Sequence, residues 1–188
     1  MGVKLILVKK IFFMVIVFLT TFGLGLFIRS YVIHLFVVPS ESMASTLISG
    51  DRILTKGPLL NRLDGVIERG DVIVFKDDAG WLSETDTQIN HLVKRVIGVP
   101  GDTVEGDANG IIKVNGEMIE ESYVFLSDST DDDPLNEFSV HLADENYWVM
   151  GDHRDRSSDS RTFGPISGES IIGEVLYVYF PFDRIKTL

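Results

Sequence analysis

With no cysteine among 188 residues and four histidines scattered at positions 34, 91, 141 and 153, side chains suited to nucleophilic or metal chemistry are few. Thiolate catalysis and cysteine-ligated zinc are excluded, and no HExxH or comparable histidine pair occurs. A Ser-His-Asp triad has no local signature, although counting residues leaves it open. Two segments stand out. Residues 39–47 (PSESMASTL) gather small hydroxyl side chains directly after an apolar run, and residues 91–102 (HLVKRVIGVPGD) carry a lysine inside a strand-like pattern. Alternation along a strand puts Leu92, Lys94 and Val96 on one side and His91, Val93, Arg95 and Ile97 on the other. An ammonium among aliphatic neighbours loses hydration, which favours its neutral form and lowers its pKa. A neutral lysine amine can take the proton of a serine hydroxyl, so Ser42 and Lys94 are a candidate nucleophile and general base. Plainer readings stand beside this one: a strand lysine can snorkel its head into water, and serines after a proline make turns. His34 reads as a packed or interfacial residue, and His91 and His153 as polar surface residues.

The elements that must position these residues differ sharply along the chain. Residues 11–28 (IFFMVIVFLTTFGLGLFI) form an uncharged apolar run of eighteen, which as a helix rising about 1.5 Å per residue approaches the thickness of a bilayer core. A removable signal peptide has a shorter apolar region, about 7–15 residues, closed by a small-x-small site that Gly23-Leu24-Gly25 fits poorly. We therefore expect a retained transmembrane anchor at 11–28, a short N-terminal segment at 1–10 and one extracytoplasmic domain at 29–188. Residues 1–40 hold four basic groups (Lys4, Lys9, Lys10, Arg29) and no acid, leaving 13 basic and 28 acidic groups in 41–188, a net charge of −15. The lysines before the span outnumber the single arginine after it, which predicts a cytoplasmic N-terminus in a single-pass cell-membrane protein. An acidic body with no cluster of Lys and Arg argues against nucleic-acid binding.

Beyond the span, short segments rich in Val, Ile, Phe and Tyr, each closed by Gly, Asp or Pro, predict strands at 31–38, 52–56, 72–76, 91–99, 111–114, 147–150 and 173–180. No long helical period appears, so the fold class is mainly β with one N-terminal transmembrane helix. Asn115-Gly116 predicts a two-residue hairpin turn. Residues 127–134 (SDSTDDDP) lack the ligand spacing of a calcium loop and read as a solvated acidic loop.

Taken together, five blocks in order resemble the bacterial type I signal peptidases: SESMASTL at 40–47, GDRILTKG at 50–57, RGDVIVFK at 69–76, KRVIGVPGD at 94–102 and GDHRDRSSDSRTFGPI at 151–166. The resemblance runs from about residue 8 to the C-terminus, with 103–146 as the variable region. It implies a signal-peptidase-like β-rich catalytic domain and a serine endopeptidase that removes signal peptides from exported preproteins after small residues, of the Ala-x-Ala type. Ser42 aligns with the nucleophile and Lys94 with the general base of a Ser/Lys dyad. Ser40 falls on an oxyanion-hole position and Ser157 on a serine that orients the lysine amine. Asp159 and Arg161 match a structural ion pair, and Gly151 and Asp152 match the turn that opens their block. No metal or cofactor is implied. The partners implied are signal peptides and the lipid bilayer, with the secretion translocon and pilin-like clients as further candidates. Three residues depart from the family pattern: Ser45 replaces a proline, so the turn loses a fixed φ, and His153 and Arg156 stand where asparagine is common. Relatives lacking the serine or the lysine serve as non-enzymatic partners in pilus assembly, and retention of both here makes that the second reading. A self-cleaving repressor-type Ser/Lys protease is a third, opposed by the N-terminal span.

Overall fold

The computed structural model describes residues 2–64, 66–77, 91–126 and 137–188. Helix α1 (Gly2–Phe27) passes into one π-helical turn, Ile28–Val32. Within it, Val8–Val32 is long and apolar enough to cross a membrane, with a mean hydropathy of 2.6, and none of it is buried against the rest of the chain. The helical run therefore outlasts the expected 11–28, and the strand expected from 31 begins at Ile33. Backbone bonding inside the helix is complete without any partner, which is what a span in lipid requires.

Strands follow as β1 Ile33–Val37, β2 Arg52–Lys56, β3 Val72–Lys76, β4 His91–Gly98, β5 Thr103–Gly106, β6 Ile112–Val114, β7 Glu117–Met118, β8 Phe138–His141, β9 Asn146–Met150, β10 Ile166–Ser167, β11 Ile171–Phe180 and β12 Lys186–Thr187. Two short helices interrupt them, α2 (Pro58–Asp64) and α3 (Ser160–Phe163). Strand order in the larger sheet is β1-β2-β11-β3-β4-β9-β10, with β12 added on β11; the smaller sheet runs β7-β6-β5-β8. The mainly β expectation holds. Strands β5, β8, β10 and β12 and helices α2 and α3 lie outside the predicted segments, each too short for periodicity to mark it firmly. The 115–116 hairpin is present, with Asn115 and Gly116 at φ +55° and +82°, both in the left-handed region that a tight antiparallel turn needs. The acidic stretch 127–134 lies outside the described residues.

The run VIVF of β3 is solidly apolar because both of its faces are covered. Val72 and Val74 join a core with Met43, Leu47, Ile53 and Val93, whereas Ile73 and Phe75 join Leu92, Val96, Val149 and Ile166 on the other side. Val93 and its neighbours Leu92 and Val96 thus separate as the strand alternation of β4 requires.

Three Gly-Asp corners fasten the sheet, and each buried carboxylate takes an arginine distant in sequence. Asp51 accepts from Nε and Nη2 of Arg184, both at 2.9 Å. Asp102 accepts from Arg69, with Nε at 2.7 Å. Asp152 accepts from Nε and Nη2 of Arg95 at 2.8 and 2.7 Å. Burial pushes the Asp51 and Asp102 carboxyls up, but the guanidinium on each, with a backbone N–H from Ile48 or Val99, holds both below the usual carboxylate range.

Candidate active site

Ser42 lies in a tight turn between β1 and β2. The N–H of Ala44 donates to the Glu41 carbonyl at 2.8 Å, and those of Thr46 and Leu47 donate to the Met43 carbonyl at 3.1 and 2.7 Å. Met43 and Leu47 are fully buried and anchor the turn in the core under β3 and β4. Of the other apolar residues near Ser42, Val38 is core, Phe36 is half-buried with its ring 4.8 Å from that of His91, and Val37 is exposed.

Strand β4 brings Lys94 against this turn. The Lys94 Nζ and Ser42 Oγ are 2.6 Å apart and hydrogen bonded, across 52 positions of sequence. Lys94 is 2% exposed and Ser42 8%, so the snorkelling alternative for the lysine does not hold. Burial pushes the Lys94 amine down from 10.5 to about 8; Asp159 pulls it up, Arg161 down and Asp152 up, all more weakly. At pH 7 a group of that pKa is neutral about one time in ten, against about one in three thousand for an ordinary lysine. Ser40 is exposed, and its Oγ donates to Ser42 Oγ at 3.3 Å.

The segment 151–161 closes the other side. The His153 N–H donates to the Ser42 carbonyl at 3.1 Å. Gly151 packs so closely that a Cβ there would sit 2.5 Å from the Ser42 carbonyl oxygen and 2.2 Å from Ser157 Oγ, so only glycine fits. Asp159 caps the N-terminus of α3, accepts from the Gly151 N–H at 2.9 Å and takes Arg161 Nε and Nη2 at 2.8 Å each. Burial pushes its carboxyl up, but the Arg161 guanidinium and the Gly151 N–H together hold it below the usual range. The ion pair expected of Asp159 and Arg161 is thus formed, and Asp152 does more than open a turn, since it anchors Arg95.

Ser157 reaches the site, with its Oγ against Gly151 and near enough to the Asp159 carboxylate to help hold that group low. One expectation requires correction. His153 is not a surface residue. It is 3% exposed, its Nδ1 lies 3.2 Å from the Glu41 carbonyl oxygen, and its ring packs edge-on against Phe125. Arg156 is exposed, as a surface position allows. Ser45 does not merely lose a fixed φ: it stands at φ +78°, which proline cannot adopt.

Sequence reasoning missed Arg95 and Tyr123. The Arg95 guanidinium bonds Asp152, Thr46 Oγ1 and the Gly70 carbonyl while lying 4.0 Å above the Tyr123 ring. Its adjacency to Lys94 was the available signal; Tyr123 offered none.

Comparison with known proteins identifies the family. The family model "Signal peptidase, peptidase S26" matches residues 8–180. Signal peptidase I S of Bacillus subtilis (strain 168) is 32% identical over 170 residues, covering 87% of this chain and 85% of the relative. Signal peptidase I P of Bacillus subtilis subsp. natto is 34% identical over 166 residues, covering 85% and 83%. Among solved structures, a signal peptidase I from Enterococcus faecalis V583 aligns with a TM-score of 0.45 and 26% identity, over 58% of this chain and 96% of that one. With a family model spanning nearly the whole chain and relatives above 30% identity along most of their length, the chain belongs to the signal peptidase family, peptidase S26, and within it to the type I signal peptidases, which are peptide-bond hydrolases.

Proposed function

We propose that this chain removes signal peptides from exported preproteins through an acyl-enzyme on Ser42, with Lys94 as general base. The 2.6 Å contact between Ser42 Oγ and a buried lysine amine carries the reading. Neutral Lys94 takes the Ser42 hydroxyl proton as Oγ attacks the scissile carbonyl carbon. The lysine then returns that proton to the departing amine, leaving an ester on Ser42. Water, deprotonated by Lys94 in turn, hydrolyses the ester and frees the serine. Ser40, beside the nucleophile, donates to the oxyanion together with the Ser42 N–H in this reading, and one such donor is worth about 2.7–4 kcal/mol in the transition state. The likeness to the family supports small residues at the first and third positions before the cut.

The site works at the outer face of the membrane, with Lys4, Lys9 and Lys10 in the first turns of α1 at the cytoplasmic end. Strand β1 starts one residue after the apolar span, so the catalytic domain is held at the bilayer. Leu35 of β1 and Tyr177 of β11 both pair with Leu54, and Val37 and Phe180 both pair with Arg52. These four exposed side chains therefore share the outer sheet surface in matched rows, and exposed Phe182 follows them. With exposed Arg52 at the centre of one row, its guanidinium 4.8 Å from the Phe180 ring, this mixed surface supports a seat at the lipid headgroups. Signal peptides emerging from the secretion translocon then reach Ser42 without leaving the membrane surface.

The test is the pH profile of kcat/KM on a preprotein with an Ala-x-Ala site. It should rise about tenfold per pH unit up to about pH 8 and level off above it. A flat profile from pH 6 to pH 9, with chemistry limiting the rate, contradicts the proposal.

A further inference from the structure

The turn that carries Ser42 contains a strained residue, and what holds it is a segment from the variable part of the chain. Ser45 is a β-carbon-bearing residue at φ +78°, a conformation that costs energy unless surrounding contacts over-determine it. Its Oγ donates to the Tyr123 carbonyl at 2.9 Å, across 78 positions of sequence. Tyr123 is fixed at two further points. Its ring lies under the Arg95 guanidinium at 4.0 Å, its hydroxyl donates to Glu121 Oε1 at 3.0 Å, and Glu121 is paired with the buried Arg154. Burial pushes the phenol up, so it stays a donor throughout the working range. Two residues on, the Phe125 N–H donates to the Asp152 carbonyl at 2.8 Å, and the Arg154 N–H donates to the Phe125 carbonyl at 3.1 Å.

These contacts meet on both halves of the dyad. Arg95 follows Lys94 in β4, and its guanidinium also reaches Thr46 Oγ1, one residue past Ser45. Tyr123 thus touches the nucleophile turn through a carbonyl and the strand of the base through a cation–π face. We infer that Tyr123 is a positioning residue: it clamps the Ser42 turn and β4 together and so sets the distance between Ser42 Oγ and Lys94 Nζ. The cation–π contact of a partly desolvated arginine is strong enough to hold a turn but not to decide whether the domain folds. A misplacement of about 1 Å in a reacting pair costs on the order of a hundredfold in rate, so the clamp acts on turnover. This inference rests on the Ser42–Lys94 reading.

The experiment measures kcat, KM and Tm for the full-length anchored protein in detergent, with a preprotein substrate. Tyr123→Ala should lower kcat by about 10- to 100-fold with KM within about threefold, at temperatures well below its Tm. Tyr123→Phe keeps the ring and the main-chain carbonyl and should stay within about threefold of the parent. Ser45→Ala, which loses only the hydroxyl, should show the same kcat-only signature at smaller size, about 3- to 10-fold. A Tyr123→Ala protein with parental kcat overturns the inference, as does a loss falling on KM or an equal loss in Tyr123→Phe. Should Tyr123→Ala fail to fold, Ser45→Ala decides: parental kcat overturns the clamp. Ser42→Ala is run alongside; activity in that variant would indict the dyad instead, leaving the two failures distinct.

Discussion

Replacing Lys94 by methionine removes a charge that the folded chain holds at a cost. The amine falls from 10.5 to about 8 because burial disfavours its charged form. Each tenfold change in proton affinity corresponds to about 1.4 kcal/mol, so holding the ammonium in the fold costs about 3 kcal/mol at neutral pH. Below pH 8 folded and unfolded chains both carry the proton, and the full cost is present. Between about 8 and 10.5 the folded chain has released it while the unfolded chain still binds it, so stability of the parent rises with pH through that window. Methionine has similar length and no charge, and escapes the cost at every pH. It also forfeits the hydrogen bond to Ser42, worth about 1 kcal/mol. The net expectation at pH 7 is a gain of about 2 kcal/mol, or roughly 4–8 °C in Tm for a chain of this size. Thermal unfolding of the anchored protein in detergent, followed by near-UV circular dichroism from pH 6 to pH 10, reads both the gain and its decline above pH 8. A Lys94→Met protein less stable than the parent at pH 7, or a difference indifferent to pH, would refute the claim that an ammonium is buried at a cost.

Other substitutions follow from the same geometry. Ser45→Pro, which restores the residue common in the family, should lower Tm and cost more than about 1 kcal/mol, because proline fixes φ near −65° where this turn needs a positive value; Ser45→Gly should fold with a Tm close to the parent's. Gly151→Ala would drive a methyl group into Ser157 Oγ and the Ser42 carbonyl, so preprotein cleavage should fall by two orders of magnitude or so while overpacking costs about 1–3 kcal/mol of stability in chemical denaturation. Asp51, Asp102 and Asp159 all titrate below their ordinary 3.8 in the fold, so their contribution is intact above that value and is lost as pH falls through their depressed range. Acid titration of the fold should show stability holding to about pH 4 and declining below it, and loss beginning near pH 6 would contradict these pairings.

The span and the strands β2 and β3 were legible because each left a local mark, an uncharged run or an apolar segment closed by turn residues; the pairing of Ser42 with Lys94 was legible only through the resemblance of five blocks to a known family. Strand β8 left a mark of minimal length, the four-residue apolar-polar alternation Phe138, Ser139, Val140, His141, and was passed over. The arginines of the three Gly-Asp corners were invisible for a different reason. Arg184 lies 133 positions from Asp51, and no local pattern encodes so distant a partner. Ser157 falls at the site, against Gly151, but the direction of its hydroxyl depends on a rotamer that spacing does not specify. The positive φ of Ser45 was likewise hidden, because serine is a residue that tolerates turns without announcing their handedness.

Cleavage of a secreted preprotein by Ser42→Ala and Lys94→Ala proteins, compared with the parent in the same membranes, tests the dyad most directly. The account predicts that precursor accumulates uncleaved with either substitution although both proteins fold and insert. Full activity in either one would contradict it.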